Sequence, residues 1–347
     1  MNAEIISTAL EDPIPAGPLD EELEAEARYI TVPSLLHGQR LDKCLAELIP
    51  EFSRSYLQQR LQQGDVFAGG RMLVKASSKV LAGQQIRVQL RPTPQAKSFR
   101  PETVAFDVAF EDEHVLVVNK PAGLVVHPAA GNWSGTLLNG LLMHHAAAAD
   151  LPRAGIVHRL DKDTSGLMVV AKTRQALDVL GRQIAERVVQ RFYLALAERT
   201  WRRGSSIQTV DQPIGRDPYH RLRMAVHGVG SHGAKTAITW VKAMDIGQNV
   251  SLLGCKLFSG RTHQIRVHLA WLGHPIVGDT VYGGHITRQI QRQALHATRL
   301  EFQHPLTGAW LGFDADLPTD IRNALEQEGL HYNYGSLGPL SFGLYMR

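Results

Sequence analysis

The sequence predicts an α+β fold whose main body is built on a large, mostly antiparallel mixed sheet. Runs of β-branched and other apolar residues at 115–118 and 167–171 have the length and composition of buried strands. Such runs recur at spacings typical of hairpins, which favours antiparallel pairing. Apolar residues at positions 176, 177, 180 and 184 form a helical stripe that Thr173 can cap. With 347 residues the chain is long enough for this body and a second, smaller domain.

The N-terminal part of the chain differs in composition from the rest. Residues 1–28 contain eight acidic residues, one arginine, three prolines and few large apolar groups. Such a segment cannot bury enough apolar surface to order itself, so residues 1–30 are predicted to form an acidic disordered arm. The first 28 residues carry a net charge of −7 and the whole chain +4, so the remaining 319 residues carry +11. A basic body attracts polyanions, and phosphate backbones are the usual ones.

A small separate module is predicted over residues 33–91. Apolar positions 41, 44, 45, 48 and 49 form a helical stripe that Pro50 ends, and Ser53 can cap a second helix that ends at Gly64. Short strands follow, with a Gly69-Gly70 turn between them. Two helices opened by Arg-Leu-Asp and Ser-Arg-Ser and then followed by strands resemble the small α/β S4 RNA-binding domain. The basic residues that could meet RNA phosphates, or simply be solvated, are Arg40, Lys43, Arg54, Arg60 and Arg71.

Three further segments complete the predicted organisation. A proline-rich linker is predicted over residues 92–103, because prolines recur at its two ends. The main body is predicted over residues 104–326. The tail at 327–347 is rich in glycine and aromatic residues towards its end, and its pattern predicts neither a structure nor a role.

The polar segment at residues 158–166, His-Arg-Leu-Asp-Lys-Asp-Thr-Ser-Gly, is the most informative part of the body. It lies between apolar runs at 155–157 and 167–171, both of which predict short buried strands. A charged loop between buried strands is held rigidly, as catalytic loops are. From the residues alone, Asp161 and Asp163 are equal candidates for a catalytic carboxylate.

Several segments, in the same order, resemble the RluA-type pseudouridine synthases, which isomerise selected uridines in RNA. The likeness covers roughly residues 35–325 and implies the pseudouridine synthase fold for the body. The segments are the Asn-Lys-Pro-Ala-Gly stretch at 119–123, the polar segment at 158–166, the Arg-Phe-Tyr-Leu-Ala strand at 191–195, and Gly-Arg-Thr-His-Gln-Ile-Arg-Val-His at 260–268.

The resemblance implies a role for each of four residues, and the role of a fifth, His158, stays open. Asp161 takes the place of the family's essential nucleophile, and Tyr193 that of the aromatic residue that stacks on uracil. Arg261 takes the place of the basic partner that keeps the nucleophile ionised. Arg159 takes the place of the side chain that enters the RNA stack when the target base leaves it. For His158, a structural hydrogen bond and an RNA contact stay equally open.

The implied activity is isomerisation of uridine to pseudouridine with the base flipped out of the RNA. The S4-like module and the Pro-Arg-Ala-Gly-Ile-Val segment at 152–157 resemble most the family members that act on large-subunit ribosomal RNA, so this RNA or a pre-ribosomal particle is the expected partner. No cofactor is expected, because the isomerisation needs no redox step or group donor and the sequence contains no nucleotide-binding fingerprint. The histidines at 263, 268, 274 and 285 fit no standard zinc spacing, so no metal is predicted.

The remaining sequence features indicate a cytoplasmic protein, which we expect to act as a monomer. Its two cysteines, Cys44 and Cys255, provide no disulfide framework. No run approaches the ~20 apolar residues of a membrane span, and the acidic start does not resemble a signal peptide.

Two other functions stay open at this stage. The first is a non-catalytic S4-type RNA-binding or ribosome-assembly factor, which the intact set of Asp161, Tyr193 and Arg261 disfavours. The second is a glycosidase that uses Asp161 and Asp163 as a carboxylate pair. That pair is disfavoured because an acid and a nucleophile must lie roughly 5 Å or more apart across a sugar, and neighbours in one tight loop rarely do.

Overall fold

The computed structural model describes residues 26–50, 52–90, 98–129, 131–220, 223–228 and 230–332. The chain divides between Lys97 and Ser98 into two compact units, so the boundary falls within the predicted linker. Most of the predicted arm (1–25), the segment 91–97 and most of the predicted tail (333–347) lie outside the described residues.

The first unit combines a small antiparallel sheet with two helices. In the described ranges its elements are strands β1 (Glu26–Thr31), β2 (Val66–Ala68), β3 (Arg71–Met72) and β4 (Gln85–Leu90), helices α1 (Leu41–Leu48) and α2 (Arg54–Gln62), and a 3₁₀ helix at Ser34–Leu36. The strand order is β1-β4-β2-β3. Residues 26–30 were expected in the disordered arm, and this is wrong, because β1 pairs with β4 over its whole length.

Both helices of the first unit follow from their sequence pattern. In α1 the apolar stripe is buried, with Leu41, Cys44 and Leu45 fully enclosed. The Oγ atom of Ser53 accepts a hydrogen bond from the backbone N–H of Tyr56 at 3.3 Å, so Ser53 caps α2 as its sequence position indicates. The core between helices and sheet therefore forms from the positions that the helical periodicity selects.

The second unit contains the large sheet. Its described strands are β5 (Asp107–Glu111), β6 (Val115–Lys120), β7 (Ser165–Ala171), β8 (Gln190–Glu198), β9 (Gln208–Asp211), β10 (Ile214–Arg216), β11 (Met224–Val226), β12 (Ile238–Ile246), β13 (Val250–Leu257), β14 (Leu295–Gln303) and β15 (Trp310–Asp314). Its described helices are α3 (Leu137–His144), α4 (Arg174–Ala185), α5 (Gln264–Trp271) and α6 (Thr319–Gln327). None of the helices in the described ranges has the length and apolar character needed to span a bilayer.

The sheet is mixed but almost entirely antiparallel, which confirms the predicted fold class. Among the described residues nine strands join it, in the order β5-β6-β7-β14-β8-β13-β12-β9, with β15 paired to β14. The β7–β14 pair is parallel and the other pairs are antiparallel. Strands β10 and β11 form a separate hairpin.

Both faces of the sheet are covered at β7, which explains the unbroken apolar run of that strand. Every residue of Ser165–Ala171 is buried. Met168 and Val170 belong to one apolar core, and Leu167 and Val169 belong to another core on the opposite face. A strand buried on both faces does not alternate apolar and polar residues.

The strand predicted at residues 155–157 is wrong. The chain forms a left-handed turn at Pro152–Gly155, in which Arg153 and Ala154 have φ values of 55° and 52°. Only Ile156 bridges to a strand, at Val170. Gly155 closes the turn with a φ of 81°, and a Cβ atom there would collide with the carbonyl oxygen of Ala171. The turn therefore brings the polar segment in against the end of β7.

Short segments assigned to the linker and the tail pack on the second unit. The Asn139 Nδ2 atom donates to the carbonyl oxygens of Ser98 and Arg100 at 2.9 and 2.8 Å. Leu330 is buried in the main core, and the backbone N–H of His331 donates to the Asp245 carboxylate. The packed body therefore extends beyond both of its predicted limits, residues 104 and 326.

The parallel contact between β7 and β14 depends on Gly166, which has a φ of 114° and faces the Ala297 backbone. Gly166→Ala should destabilise the second unit by at least about 3 kcal/mol, because its Cβ would collide with the carbonyl oxygen of Ala297. Urea unfolding measures the loss. The control is Gly181→Ala in α4, where the added Cβ meets open space, and it should stabilise the protein by about 1 kcal/mol. Equal stability of the two variants would contradict this packing.

Candidate active site

A cavity of about 700 Å³ in the second unit brings together the residues that the sequence singled out. Its lining includes His158, Arg159, Asp161, Tyr193 and Arg261. They come from three segments that are distant along the chain. The sheet order places β7 and β8 on either side of β14, which brings the loop before β7 close to the face of β8.

The carboxylate of Asp161 is paired with the guanidinium of Arg266. Arg266 Nη1 donates to Asp161 Oδ2 at 3.1 Å, while its Nε and Nη2 atoms donate to the two oxygens of Asp279 at 2.7 and 2.9 Å. Arg266 and Asp279 are 5% and 2% exposed, whereas the Asp161 side chain keeps 17% exposure to the cavity. Burial alone would lower the pKa of Arg266, but the hydrogen bonds and charges of the two carboxylates raise it above its usual value. Asp279 thus orients a permanent cation towards Asp161.

The predicted pairing of Arg261 with Asp161 is therefore wrong. Arg261 Nε donates to the carbonyl oxygen of Thr236 at 3.1 Å, on another part of the cavity wall. The two arginines lie in one motif, but Arg261 precedes α5 and Arg266 lies in its first turn. The sequence alone did not fix where α5 begins, so it did not separate them.

Gln264 holds the turn between Arg261 and α5 in shape. Its Oε1 atom accepts from the backbone N–H of Arg261 at 3.0 Å and from Ser259 Oγ at 2.8 Å. Its Nε2 atom donates to the Ile238 carbonyl oxygen and to Thr239 Oγ1. One buried amide therefore ties the turn to β12, which fixes the start of α5 and the position of Arg266.

Tyr193 and His158 both line the cavity as neutral groups. Tyr193 is 4% exposed, and burial raises the pKa of its hydroxyl to about 12. The backbone N–H of Val169 donates to His158 Nε2 at 3.1 Å, and burial lowers the pKa of His158 to about 3. Of the two roles left open for His158, this hydrogen bond favours the structural one.

Two basic side chains, the buried Lys120 and the half-buried Arg292, hold the loop that carries Asp161, and the sequence pattern had indicated no role for either. Lys120 Nζ donates to the carbonyl oxygens of Pro121, Leu124 and Lys162 at 2.8, 2.9 and 2.9 Å, while burial lowers its pKa to about 7. Arg292 Nη1 donates to the carbonyl oxygen of Asp163 at 2.9 Å. These contacts use main-chain oxygens, which no residue pattern in the loop reveals.

Asp163, the rival carboxylate, has a different position from Asp161. Asp161 lines the cavity and Asp163 is not among the described lining residues. The hydrogen bond from Arg292 fixes the Asp163 backbone, and Arg292 is itself paired with Asp320 at 2.7 Å. The loop therefore presents a single carboxylate to the cavity.

Arg159 differs from Arg266 and Arg292 because its side chain is not paired with a carboxylate among the described residues. It is exposed and lines the cavity. Neither a salt bridge to Asp161 nor one to Asp163 is found in the described part of the chain. Its guanidinium is therefore available at the mouth of the cavity.

In the first unit, Arg40 and Arg54 share one buried carboxylate. Arg40 Nε donates to Asp42 Oδ1 and Arg54 Nε to Asp42 Oδ2, both at 3.0 Å. The hydrogen bond from Arg40, with those from Arg54 and Gln58, lowers the pKa of the Asp42 carboxyl far below its usual value. The arginine side chains remain 42% and 44% exposed, and Lys43 is exposed beside them. These three cations can still meet solvent anions.

The prediction that Arg60 contacts RNA is wrong. Arg60 is 5% exposed, its Nη1 atom donates to Asp65 Oδ2 at 3.2 Å, and its guanidinium lies 5.1 Å from the centre of the Tyr56 ring. Tyr56 and Arg60 are four residues apart on α2 and so share its buried face.

The four histidines weighed as metal ligands are spread among separate hydrogen bonds. Their partners are Tyr282 for His263, Thr239 and Gln212 for His268, and Glu198 for both His274 and His285. Among the described residues no group of three or more potential metal ligands is found.

The comparisons of the sequence with known proteins indicate a single family. The sequence profile of the family described as RNA pseudouridylate synthase matches residues 114–271. A protein of Neisseria meningitidis serogroup A, named ribosomal large subunit pseudouridine synthase D, is 48% identical over 314 residues, which is 87% of this chain and 82% of that protein. Proteins of the same name from Nitrosomonas europaea and Escherichia coli O157:H7 are 44% and 43% identical, over 92% and 83% of this chain and 92% and 90% of their own lengths.

The fold also matches a solved structure. Human RNA pseudouridylate synthase domain containing 4 superposes with a TM-score of 0.52 at 23% identity. The match covers 65% of this chain and 94% of that one. At this identity the likeness concerns the fold.

The neutral state of the half-buried His158 makes the stability of the folded protein depend on pH. Its pKa falls from 6.5 to about 3 on burial, so the unfolded chain takes up a proton below pH 6.5 that the folded protein does not. This stability is present above pH 6.5 and is lost on acidification, at up to about 1.4 kcal/mol per pH unit. In urea unfolding between pH 7 and 4, His158→Gln should show a slope shallower by about this amount. The exposed His232→Gln control should keep the wild-type slope, and an unchanged slope in His158→Gln would refute the assignment.

Proposed function

The chain belongs to the RNA pseudouridylate synthase family, and on that premise we propose that it isomerises selected uridines of large-subunit ribosomal RNA to pseudouridine. The substrate is inferred from the names of the relatives. The observation that carries the site assignment is the Asp161–Arg266 pair in a cavity that Tyr193 also lines.

Asp161 is the proposed nucleophile. The reaction breaks the bond between ribose C1′ and uracil N1 and forms one between C1′ and C5. The Asp161 carboxylate forms a transient covalent bond with the nucleotide and is released when the C1′–C5 bond has formed. C5 then loses its proton and N1 gains one, so the product is an isomer of the substrate. No electron acceptor or group donor is consumed, so we expect no cofactor.

The surrounding residues have distinct proposed roles. Arg266 binds the Asp161 carboxylate and aims it into the cavity, because its other donors are committed to Asp279. Tyr193 offers an uncharged ring on which the uracil can stack. Arg159, exposed at the cavity mouth, would occupy the gap that the extruded base leaves in the RNA, where a planar guanidinium can stack and bind phosphate.

The first unit is proposed to bind RNA as an S4-type module. Its helices and hairpin follow the expected order, and Arg40, Lys43 and Arg54 are among its exposed or half-exposed cations. We further propose that the enzyme is cytoplasmic and monomeric, and that its partner is ribosomal RNA or a pre-ribosomal particle.

Release of tritium from large-subunit ribosomal RNA transcribed with [5-³H]uridine tests the function. Isomerisation exchanges the C5 hydrogen, so the full-length protein should release tritium and leave the chain intact. A non-catalytic RNA-binding factor would bind the transcript without release. Free labelled base in the supernatant would instead indicate a glycosidase and would overturn the proposal.

Asp161→Ala should abolish tritium release, leaving less than about 10⁻³ of the wild-type rate, because no other carboxylate of the described lining can replace the nucleophile. RNA affinity, measured by filter binding, should stay within about threefold, because the substitution removes a negative charge from a basic cavity. Asp163→Ala is the matched control and should keep turnover within about tenfold. Comparable losses in the two variants would refute the choice of nucleophile.

Arg266→Lys should lower kcat by about 100-fold or more, because a lysine cannot hold Asp279 by two hydrogen bonds and Asp161 by a third. Arg261→Lys is the control from the same motif and should change kcat by less than about fivefold. Steady-state tritium release measures both. If Arg261→Lys were the more damaging, the pairing seen in the structure would not be the one used in catalysis.

A further inference from the structure

Arg191 is a buried cation for which the described structure provides no partner. It is 6% exposed on β8 and lines the same cavity as Asp161. No hydrogen bond or ion pair of its side chain occurs within the described ranges, and its Nε atom is buried and unsatisfied. Arg60 and Arg266, the comparable buried arginines, each have a carboxylate at hydrogen-bond distance.

The neighbours of Arg191 do not neutralise it. Its electrostatic neighbours are Tyr193 and His158, which are both uncharged near neutral pH. A guanidinium remains protonated in proteins even where burial lowers its pKa. An unpaired buried charge destabilises the folded state, and such groups are retained where a ligand completes them.

The position of Arg191 relative to Tyr193 defines what it can reach. The two residues lie on one face of β8, two positions apart, which corresponds to about 7 Å along a strand. Gly260 leaves room beside the guanidinium, because a Cβ there would lie only 3.0 Å from Arg191 Nη1. The cavity lining also includes Ile184 in the last turn of α4 and Arg187 just after that helix.

Arg187 is a second cation of the cavity lining, four residues before Arg191 in the chain. It is exposed and has a left-handed backbone with a φ of 63°, two residues after the end of α4, where glycine is usual. A bulky residue in that conformation is strained, and strain of this kind collects at functional sites. Among the described lining residues the one acidic side chain is Asp161, which is paired with Arg266.

We propose that Arg191 and Arg187 form a subsite for the phosphodiester that adjoins the extruded uridine. This deepens the proposed function and rests on it. A guanidinium fork matches the two free oxygens of a phosphodiester, and the anion supplies the charge that the protein does not. A uracil carbonyl is uncharged, so it would leave the charge of Arg191 uncompensated. The separation from Tyr193 is about one sugar–phosphate unit, so the base and its phosphate could occupy the two positions together.

The test compares variants of the full-length protein on an unmodified large-subunit ribosomal RNA transcript. The variants are Arg191→Gln, Arg191→Lys and Arg187→Gly. Arg182→Gln is the charge-matched control, because Arg182 is exposed on α4 and is not among the cavity-lining residues. Filter binding across potassium chloride concentrations gives the salt slope, tritium release gives KM and kcat, and thermal unfolding gives Tm.

For Arg191→Gln we expect the slope of log affinity against log salt to shrink by about 0.7–0.9, the loss of one phosphate contact. KM should rise about tenfold or more, with kcat changed far less. Tm should stay the same or rise, because an uncompensated buried charge is removed. Arg191→Lys should recover part of the salt slope. Arg187→Gly should also weaken binding without lowering Tm, and Arg182→Gln should match the wild type in slope and KM.

Two results would overturn the subsite. A lower Tm in Arg191→Gln with unchanged KM and salt slope would make Arg191 a structural residue. A raised KM with an unchanged slope would mean that it contacts an uncharged part of the RNA. If the wild-type protein released no tritium, the proposed function would fail, whereas the salt slopes would still decide whether Arg191 binds a phosphate.

Discussion

One buried guanidinium, that of Arg266, is the element around which the catalytic cavity is organised. It is enclosed between Asp279, which binds it through two hydrogen bonds, and Asp161, which it presents to the cavity. Removing one partner of such a buried set leaves an unpaired charge and typically costs about 3–5 kcal/mol, so its members constrain each other. Lys120 and Arg292 then fix the Asp161 loop through main-chain oxygens, and Gly166 lets β7 approach β14 closely enough for the loop to lie there.

In the cavity, the charges that attract the substrate belong to other residues than the carboxylate proposed to carry out the chemistry. Asp161 is the sole acidic residue in the described lining, which also contains Arg153, Arg159, Arg187, Arg191, Arg261 and Arg266. The arginines create the positive potential that attracts an RNA backbone. Near neutral pH His127, His158 and Tyr193 stay uncharged, because burial lowers the pKa of the two histidines and raises that of the tyrosine. An uncharged base can therefore lie among neutral groups while its phosphates meet cations.

Sequence reasoning predicted what depends on periodicity and local chemistry. The runs at 115–118 and 167–171 became strands, the stripe at 176–184 became α4 with Thr173 as its cap, and the motif residues converged on one cavity. Sequence reasoning failed where a contact depends on how segments distant along the chain are placed relative to one another. Choosing between Arg261 and Arg266 requires knowing where α5 starts. Strand β1 forms because β4 accepts it, which the acidic composition around it concealed. The burial of Arg60 could have been predicted, since a helical residue four positions after the apolar Tyr56 lies on the same face and packs on the core.

The central position of β14 has a consequence for the protein during its synthesis. This strand lies between β7 and β8, and Ser165 in β7 hydrogen-bonds to His296, 131 residues further along the chain. Contacts of such long range form late, because a large loop must close first. A nascent chain shorter than about 300 residues therefore lacks the strand that joins the two walls of the cavity. The cavity is therefore assembled only after residues 295–303 have emerged from the ribosome, and a chain that ends before β14 would carry the Asp161 loop without the strand that places it beside β8.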